Sequence, residues 1–159
     1  MNQLYRLAAA ALACLLAACA STPAPAPLAD TLARNPQLST FNRLVQQAGL
    51  QEQLRAAGPL TVFAPSDEAF KAVPAKTLDA LAANPAELKA VLSYHLLNVK
   101  LAAADVQTGN AKTVQGAPVA LARAGEFVTV EDAMVQQADI MATNGVAHVI
   151  DRVLTPPKK

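Results

Sequence analysis

The sequence predicts an α+β domain, and three observations lead to it. Between Leu28 and Leu92 the apolar residues recur mostly at helical spacing. After Lys100 they gather into short β-prone runs punctuated by glycine and proline. Finally, the stretch Asp139 to Asp151 sets two apolar-rich runs about Asn144-Gly145, the strongest short-range hairpin signal. Helices first and strands last, in 159 residues without an internal repeat, make one α+β domain long enough to bury a core.

Residues 1–27 stand apart. Arg6 supplies a short basic region, and Leu7 to Ala18 is an apolar run too short to span a bilayer. It ends in Leu16-Ala17-Ala18-Cys19, which resembles the bacterial lipobox. Residues 1–18 are therefore expected to be a lipoprotein signal peptide, removed to leave Cys19 first and acylated. The small residues before it suit a signal peptidase pocket, and the thiol takes the lipid. Ala20-Ser21 follows with no Asp, which favours an outer-membrane destination in a bacterial envelope. Several acyl chains on one residue exceed the single-chain threshold for lasting attachment. Pro23, Pro25 and Pro27 alternate with alanine, so 19–27 read as a Pro/Ala tether in extended polyproline form, with the folded domain over 28–157. Of the 2 cysteines, Cys14 leaves with the signal, so no intramolecular disulfide is expected. The 13 basic side chains lose Arg6 and then equal the 12 acidic ones. With no basic run, nucleic acid is not an expected partner. Lys158-Lys159 reads as a solubilising tail.

Within the domain, Leu38, Phe41, Val45 and Ala48, with Leu44 beside them, form one helical stripe that Gly49 stops. A shorter helix over Leu50 to Ala57 ends at Gly58-Pro59. Leu60 to Ala64 is β-prone and is broken by Pro65, after which Ser66 or Asp67 can cap a short helix carrying Ala69 and Phe70. Pro74 opens a helix with Leu78 and Leu81 inward. Asn84, Pro85 and Glu87 then make a strong helix start, with Glu87 reaching back and Leu88, Val91 and Leu92 buried. Tyr94-His95-Leu96-Leu97 could be a helix end or a strand. Val114, Val119, Leu121, Phe127, Val128 and Val130 lie in a meander whose turns are Gly116-Ala117-Pro118 and Gly125-Glu126. Gln136 to Thr143 and Val146 to Val153 complete the sheet about a type I′ turn at Asn144-Gly145. Val146, His148 and Ile150 share one strand face and Ala147, Val149 and Asp151 the other. A strand apolar on both faces belongs inside a sheet or between layers, so the fold cannot close before the C-terminus.

Three blocks together resemble the fasciclin (FAS1) family. Thr61-Val62-Phe63-Ala64-Pro65-Ser66-Asp67-Glu68-Ala69-Phe70 is similar to its first signature. Leu92-Ser93-Tyr94-His95 matches its Tyr-His motif, and Asn144-Gly145-Val146-Ala147-His148-Val149-Ile150-Asp151 its second signature. Order and spacing also agree. One departure is Glu131-Asp132, where the family often has Asn-Gly. The resemblance implies a β-sandwich wedge with several helices packed on it, and a role in adhesion or extracellular binding without catalysis. It also implies that Tyr94-His95 and Asp139-Ile140 occupy positions assigned to adhesion in animal members. Thr61, Pro65, Asp67, Phe70, Asn144, Gly145, His148 and Asp151 are then the structural residues of the motifs.

The chemistry-bearing residues read more plainly on their own. His95 and His148 are the 2 histidines. They lack the His-x-x-x-His spacing and cysteine partners of a metal site, and backbone or carboxylate partners for their rings are the simpler expectation. No metal or cofactor is expected. Ser66 has no Gly-x-Ser-x-Gly elbow, so a helix-capping Ser66-Asp67 pair is favoured over a nucleophile. Asp67 and Asp151 could act as an acid–base pair only if the fold joined them. Asp151 is expected to accept from nearby backbone. Asp139 and Ile140 face opposite ways in a strand, so one can be exposed while the other is buried. Tyr94 suits either a core or a surface contact.

The function expected is therefore that of a non-enzymatic, membrane-anchored envelope lipoprotein. Its FAS1 domain would bind a protein or polysaccharide in adhesion or biofilm cohesion, with self-association left open. The alternative is a small-molecule or lipid carrier using an apolar cleft between alanine-rich helices and sheet.

Overall fold

The computed structural model describes residues 24–157. The expected signal peptide, the expected acylation site Cys19, the first part of the expected tether and the Lys158-Lys159 tail lie outside the described residues. Among these, the helices are α1 (Leu28–Ala33), α2 (Ser39–Gln47), α3 (Gln51–Arg55), α4 (Asp67–Lys71), α5 (Ala75–Ala83) and α6 (Pro85–Tyr94). The strands are β1 (Leu60–Pro65), β2 (Leu96–Leu97), β3 (Gly109–Lys112), β4 (Pro118–Ala124), β5 (Phe127–Val130), β6 (Ala133–Ala142) and β7 (Gly145–Ile150). They form one sheet in the order β2-β1-β7-β6-β5-β4-β3, with β1 and β7 parallel and the other pairs antiparallel. A bridge between Leu97 and Thr113, with Val114 N–H donating to Leu96 O at 2.8 Å, brings the two ends of the sheet together. The expected sandwich is thus one continuous sheet curled into a near-barrel, which leaves few open edges.

The last strand does lie between others, and all six of its residues are buried. Its period-two pattern divides the core. Ala147 and Val149 join Val62 and Ala64 of β1 against Leu28, Leu32, Phe41, Leu44 and Leu88 of the helices. Ile150 joins Phe63, Val119, Leu121, Val128 and Val130 inside the curl. Burial on both faces is what makes this strand apolar throughout.

Several expectations need correcting. The turn before β7 is not type I′: Ala142 pairs with Gly145, leaving Thr143 and Asn144 as the turn, and neither they nor Gly145 has a positive φ. Gly145 is required instead by close approach, since a Cβ there would lie 2.0 Å from the Leu60 carbonyl oxygen. Asn144 is required by its side chain, which accepts from Leu28 N–H at 2.8 Å and donates to Leu54 O at 2.8 Å and Ala56 O at 2.9 Å. Pro65 does not break the first run but ends β1, where β2 has already stopped and no neighbour asks for its missing N–H. Leu78 and Leu81 are only half-buried, and no residue of α5 is fully buried. Folded contacts also begin before Leu28. Ala26 is buried, and its carbonyl accepts from Thr143 N–H at 3.0 Å and Thr31 Oγ1 at 3.1 Å. Residues 24–27 are thus part of the domain surface, not of a spacer.

Candidate functional site

Strand β6 shifts register against β7 between Val135 and Gln137 and again between Gln137 and Ile140. These bulges re-aim its side chains, as bulges beside functional sites do. At the second, Asp139 is exposed and left-handed, with φ of 57°. A non-glycine residue there costs roughly 1 kcal/mol and persists only when its surroundings hold it.

Those surroundings are specific. Asp139 N–H donates to His148 Nδ1 at 3.2 Å, and its Oδ1 accepts from Ala103 N–H at 2.8 Å. His148 is buried beneath it, with its ring stacked on Phe63 at 5.5 Å. Because Nδ1 accepts, Nε2 carries the proton and donates to Leu101 O at 2.8 Å. Burial pushes the His148 pKa down, against the opposing pull of the Leu101 bond and the Asp139 charge. Thr61, fully buried on β1, accepts from Leu101 N–H at 2.9 Å and donates to Val99 O. Signature residues Thr61 and His148 therefore fix the 99–101 segment, and His148 and Ala103 fix the Asp139 bulge.

Beside Asp139, Ile140 is half-buried against the helical core and Met141 is 56% exposed. They line a shallow groove of about 520 Å³ with Ala24, Ala26, Arg34 and Gln137. Sequence reasoning gave no role to Met141, Arg34 or Ala103. The signal available for Met141 was an apolar side chain two residues from polar Asp139 and Thr143 on either side.

Tyr94 and His95 belong elsewhere, and the structure withdraws them from any contact surface. Tyr94 is 2% exposed, with its hydroxyl 3.0 Å from both Pro118 O and a Glu131 carboxylate oxygen. Burial, then the Glu131 bond and charge, push its pKa up to about 12. His95 has no exposed surface: its Nδ1–H donates to Val91 O at 2.8 Å and its Nε2 accepts from Leu154 N–H at 3.0 Å. Burial lowers its pKa to about 4, against the Val91 bond. Both residues join elements inside the core.

The remaining motif residues are also joints. Ser66 caps α4 by accepting from Ala69 N–H at 3.2 Å. Asp67 caps a different helix, accepting from Ser39 Oγ at 2.7 Å and Thr40 N–H at 2.8 Å at the start of α2. Its burial raises the pKa, but those hydrogen bonds outweigh it and hold the carboxyl below its ordinary value. Phe70 is buried in the helical core. Asp151 accepts from Met134 N–H at 2.7 Å while Asp67 is held by Ser39 and Thr40, so each carboxylate has its own structural partners and no hydrogen bond joins the two as an acid–base pair. In the turn where Glu131 departs from the family pattern, φ is 56°, and the carboxylate is held by Ala120 N–H at 2.8 Å as well as by Tyr94.

A wider open cleft of about 1060 Å³ lies among α2, α4 and α5, with Arg43, Asp67, Glu68, Lys71, Phe70 and Leu78 among its walls. Among the described residues no three His, Cys, Asp or Glu side chains are grouped to hold a metal ion. No helix among them is long and apolar enough to cross a membrane.

The family model described as Fasciclin domain matches residues 36–156. Protein sll1483 of Synechocystis sp. is 39% identical over 140 residues, covering 87% of this chain and 78% of that protein. Transforming growth factor-beta-induced protein ig-h3 of Sus scrofa is 38% identical over 137 residues, covering 86% of this chain but only 20% of that longer protein. Among solved structures, the FAS1 domain pair of the insect cell adhesion molecule fasciclin I superposes with a TM-score of 0.66 at 18% identity, covering 82% of this chain and 51% of that one. At that identity the likeness is one of fold.

Proposed function

The chain belongs to the fasciclin-domain family, and from that premise we propose that it is a non-catalytic binding module of the bacterial envelope. A lipid on Cys19 holds it at the outer membrane. Its Asp139–Met141 surface takes a protein or polysaccharide partner in adhesion. One observation carries this reading: Asp139 stands exposed in a strained conformation that buried His148 and the Ala103 amide hold in place. A charge fixed before the partner arrives loses little entropy on binding. The carboxylate, the half-buried Ile140 and the exposed Met141 together offer a charged group beside an apolar one.

Binding of the purified mature domain to matrix and cell-wall polymers tests the surface. Asp139→Asn keeps the acceptor and tolerates the left-handed backbone, so it removes the charge alone. It should weaken retention about tenfold, equivalent to about 1.4 kcal/mol, without moving the thermal midpoint. Unchanged retention in both Asp139→Asn and Met141→Asp would rule this surface out. For the anchor, Cys19→Ala should release the protein from membranes.

The carrier role is a second reading, and the 1060 Å³ cleft is the observation in its favour. With Arg43, Asp67, Glu68 and Lys71 around its rim, the cleft suits a small polar ligand better than an acyl chain. Native mass spectrometry of the purified protein would show such a ligand bound.

A further inference from the structure

The groove beside Asp139 is walled on one side by the chain's own N-terminal segment. Arg34 donates to Ala24 O at 3.2 Å, Thr31 Oγ1 to Ala26 O at 3.1 Å and Thr143 N–H to Ala26 O at 3.0 Å. The backbone is therefore fixed to the domain from Ala24 onward, next to Ile140 and Met141.

That fixes the reach of an anchor. Extended backbone covers at most about 3.5 Å per residue, so Ala24 lies within about 17 Å of Cys19. A domain of this length has a radius of gyration of about 14 Å and a breadth of about 35 Å. The span to Cys19 is thus shorter than the domain is wide. A lipid on Cys19 would keep the end bearing Ala24 against the bilayer, and the far end could not exchange places with it.

We infer that the Ile140–Met141 groove is turned toward the anchoring membrane and rests on its headgroup layer. The inference relies on acylation of Cys19, the anchoring half of the function proposed above. The exposed Met141 and the flanking Ala24 and Pro25 are apolar enough to enter a headgroup layer, and Arg34 stands beside them. The tether also supplies a high effective concentration, so even a weak lipid contact is populated. The headgroup layer and the partner proposed above then compete for Met141, and the surface rests on the membrane while no partner is bound. The Glu131–Asp132 turn lies at the other end of β6, about 25–30 Å along the strand.

Site-specific quenching tests this on the full mature chain, acylated and reconstituted in liposomes that carry a headgroup nitroxide lipid. With Cys19 acylated, a single introduced cysteine is the one thiol available for a fluorophore. The probe at Met141→Cys should be quenched several-fold more strongly than the probe at Asp132→Cys. Thr155→Cys, whose residue lines the same small pocket as Asp132, is a second distant site. Equal quenching at all three positions, or stronger quenching at Asp132, overturns the orientation. Mass spectrometry of the reconstituted protein separates the two failures. A bare Cys19 overturns the anchoring reading together with this one, whereas an acylated Cys19 with equal quenching overturns the orientation alone.

Discussion

At the scale of single residues, Asn144 and Gly145 do different work from that suggested by their sequence. Asn144 ties the β6–β7 turn to α1 and to the end of α3, reaching Leu54, 90 positions away in the chain. Asn144→Ala deletes two partly buried hydrogen bonds and one exposed one and should cost about 2–3 kcal/mol, read as a lower midpoint in urea unfolding. Gly145→Ala should cost at least as much, because the new Cβ meets backbone, which cannot rotate away. Tyr94→Phe removes one buried hydroxyl and should cost about 1 kcal/mol while leaving polymer binding unchanged. An adhesion loss in a folded Tyr94→Phe protein would contradict its burial. His95 gives a pH dependence with a definite sign. Its folded pKa of about 4 lies below the ordinary 6.5, so the unfolded chain holds the extra proton between them. The contribution is complete above pH 6.5 and is lost as pH falls toward 4, worth about 3 kcal/mol. His148 shifts in the same direction. Urea unfolding free energies measured from pH 7.5 down to pH 4 should fall, His95 alone giving a slope approaching one proton.

Among elements, the joints are made by side chains belonging to neighbours. Helix α2 has no cap of its own, since Leu38 stands at its N-cap. Asp67, the first residue of α4, supplies the carboxylate, and its negative charge also suits the positive end of α2. Asp67→Ala should cost about 1–2 kcal/mol. Loss of hydrogen-exchange protection in α2, with α4 retaining its own Ser66 cap, would locate the damage. Helix α6 is capped as expected, Asn84 accepting from Glu87 N–H at 3.3 Å. Glu87 does not reach back to backbone, however, because Asn84 N–H is already donated to Leu81 O at the end of α5. Strand β6 shows the same dependence on neighbours: its bulge at Asp139 is held by β7 and by the 101–103 segment, not by its own residues.

For the whole molecule, the decisive pairing is β1 with β7, parallel and from opposite ends of the domain. Both core layers need it, because the two strands present one face to the helices and the other to the inside of the curl. Leu154 then plugs the curl and donates to His95. A chain cut after Arg152 should lose cooperative unfolding or melt far lower, whereas one cut after Pro157 should melt as the full chain does. Calorimetry of the two truncations would decide it. Pairing over such a sequence distance also places folding in the slow range for a domain of this size, milliseconds to seconds.

The sequence by itself determined the class of fold, the order of the elements, the central place of the last strand and the kinship carried by three motifs. All of these rest on periodicity and local residue type, which survive without coordinates. Ser66 and Asn84 were legible as caps for the same reason: their partners lie three residues away. Only the tertiary structure decided which motif residues are exposed. Tyr94 and His95 are buried by strands and loops far from them in sequence, while a bulge invisible to strict alternation turns Asp139 outward. It also decided what Asn144 and Gly145 are for, since a hydrogen bond to Leu54 and a carbonyl at Leu60 are facts about distant chain, and no local pattern carries them.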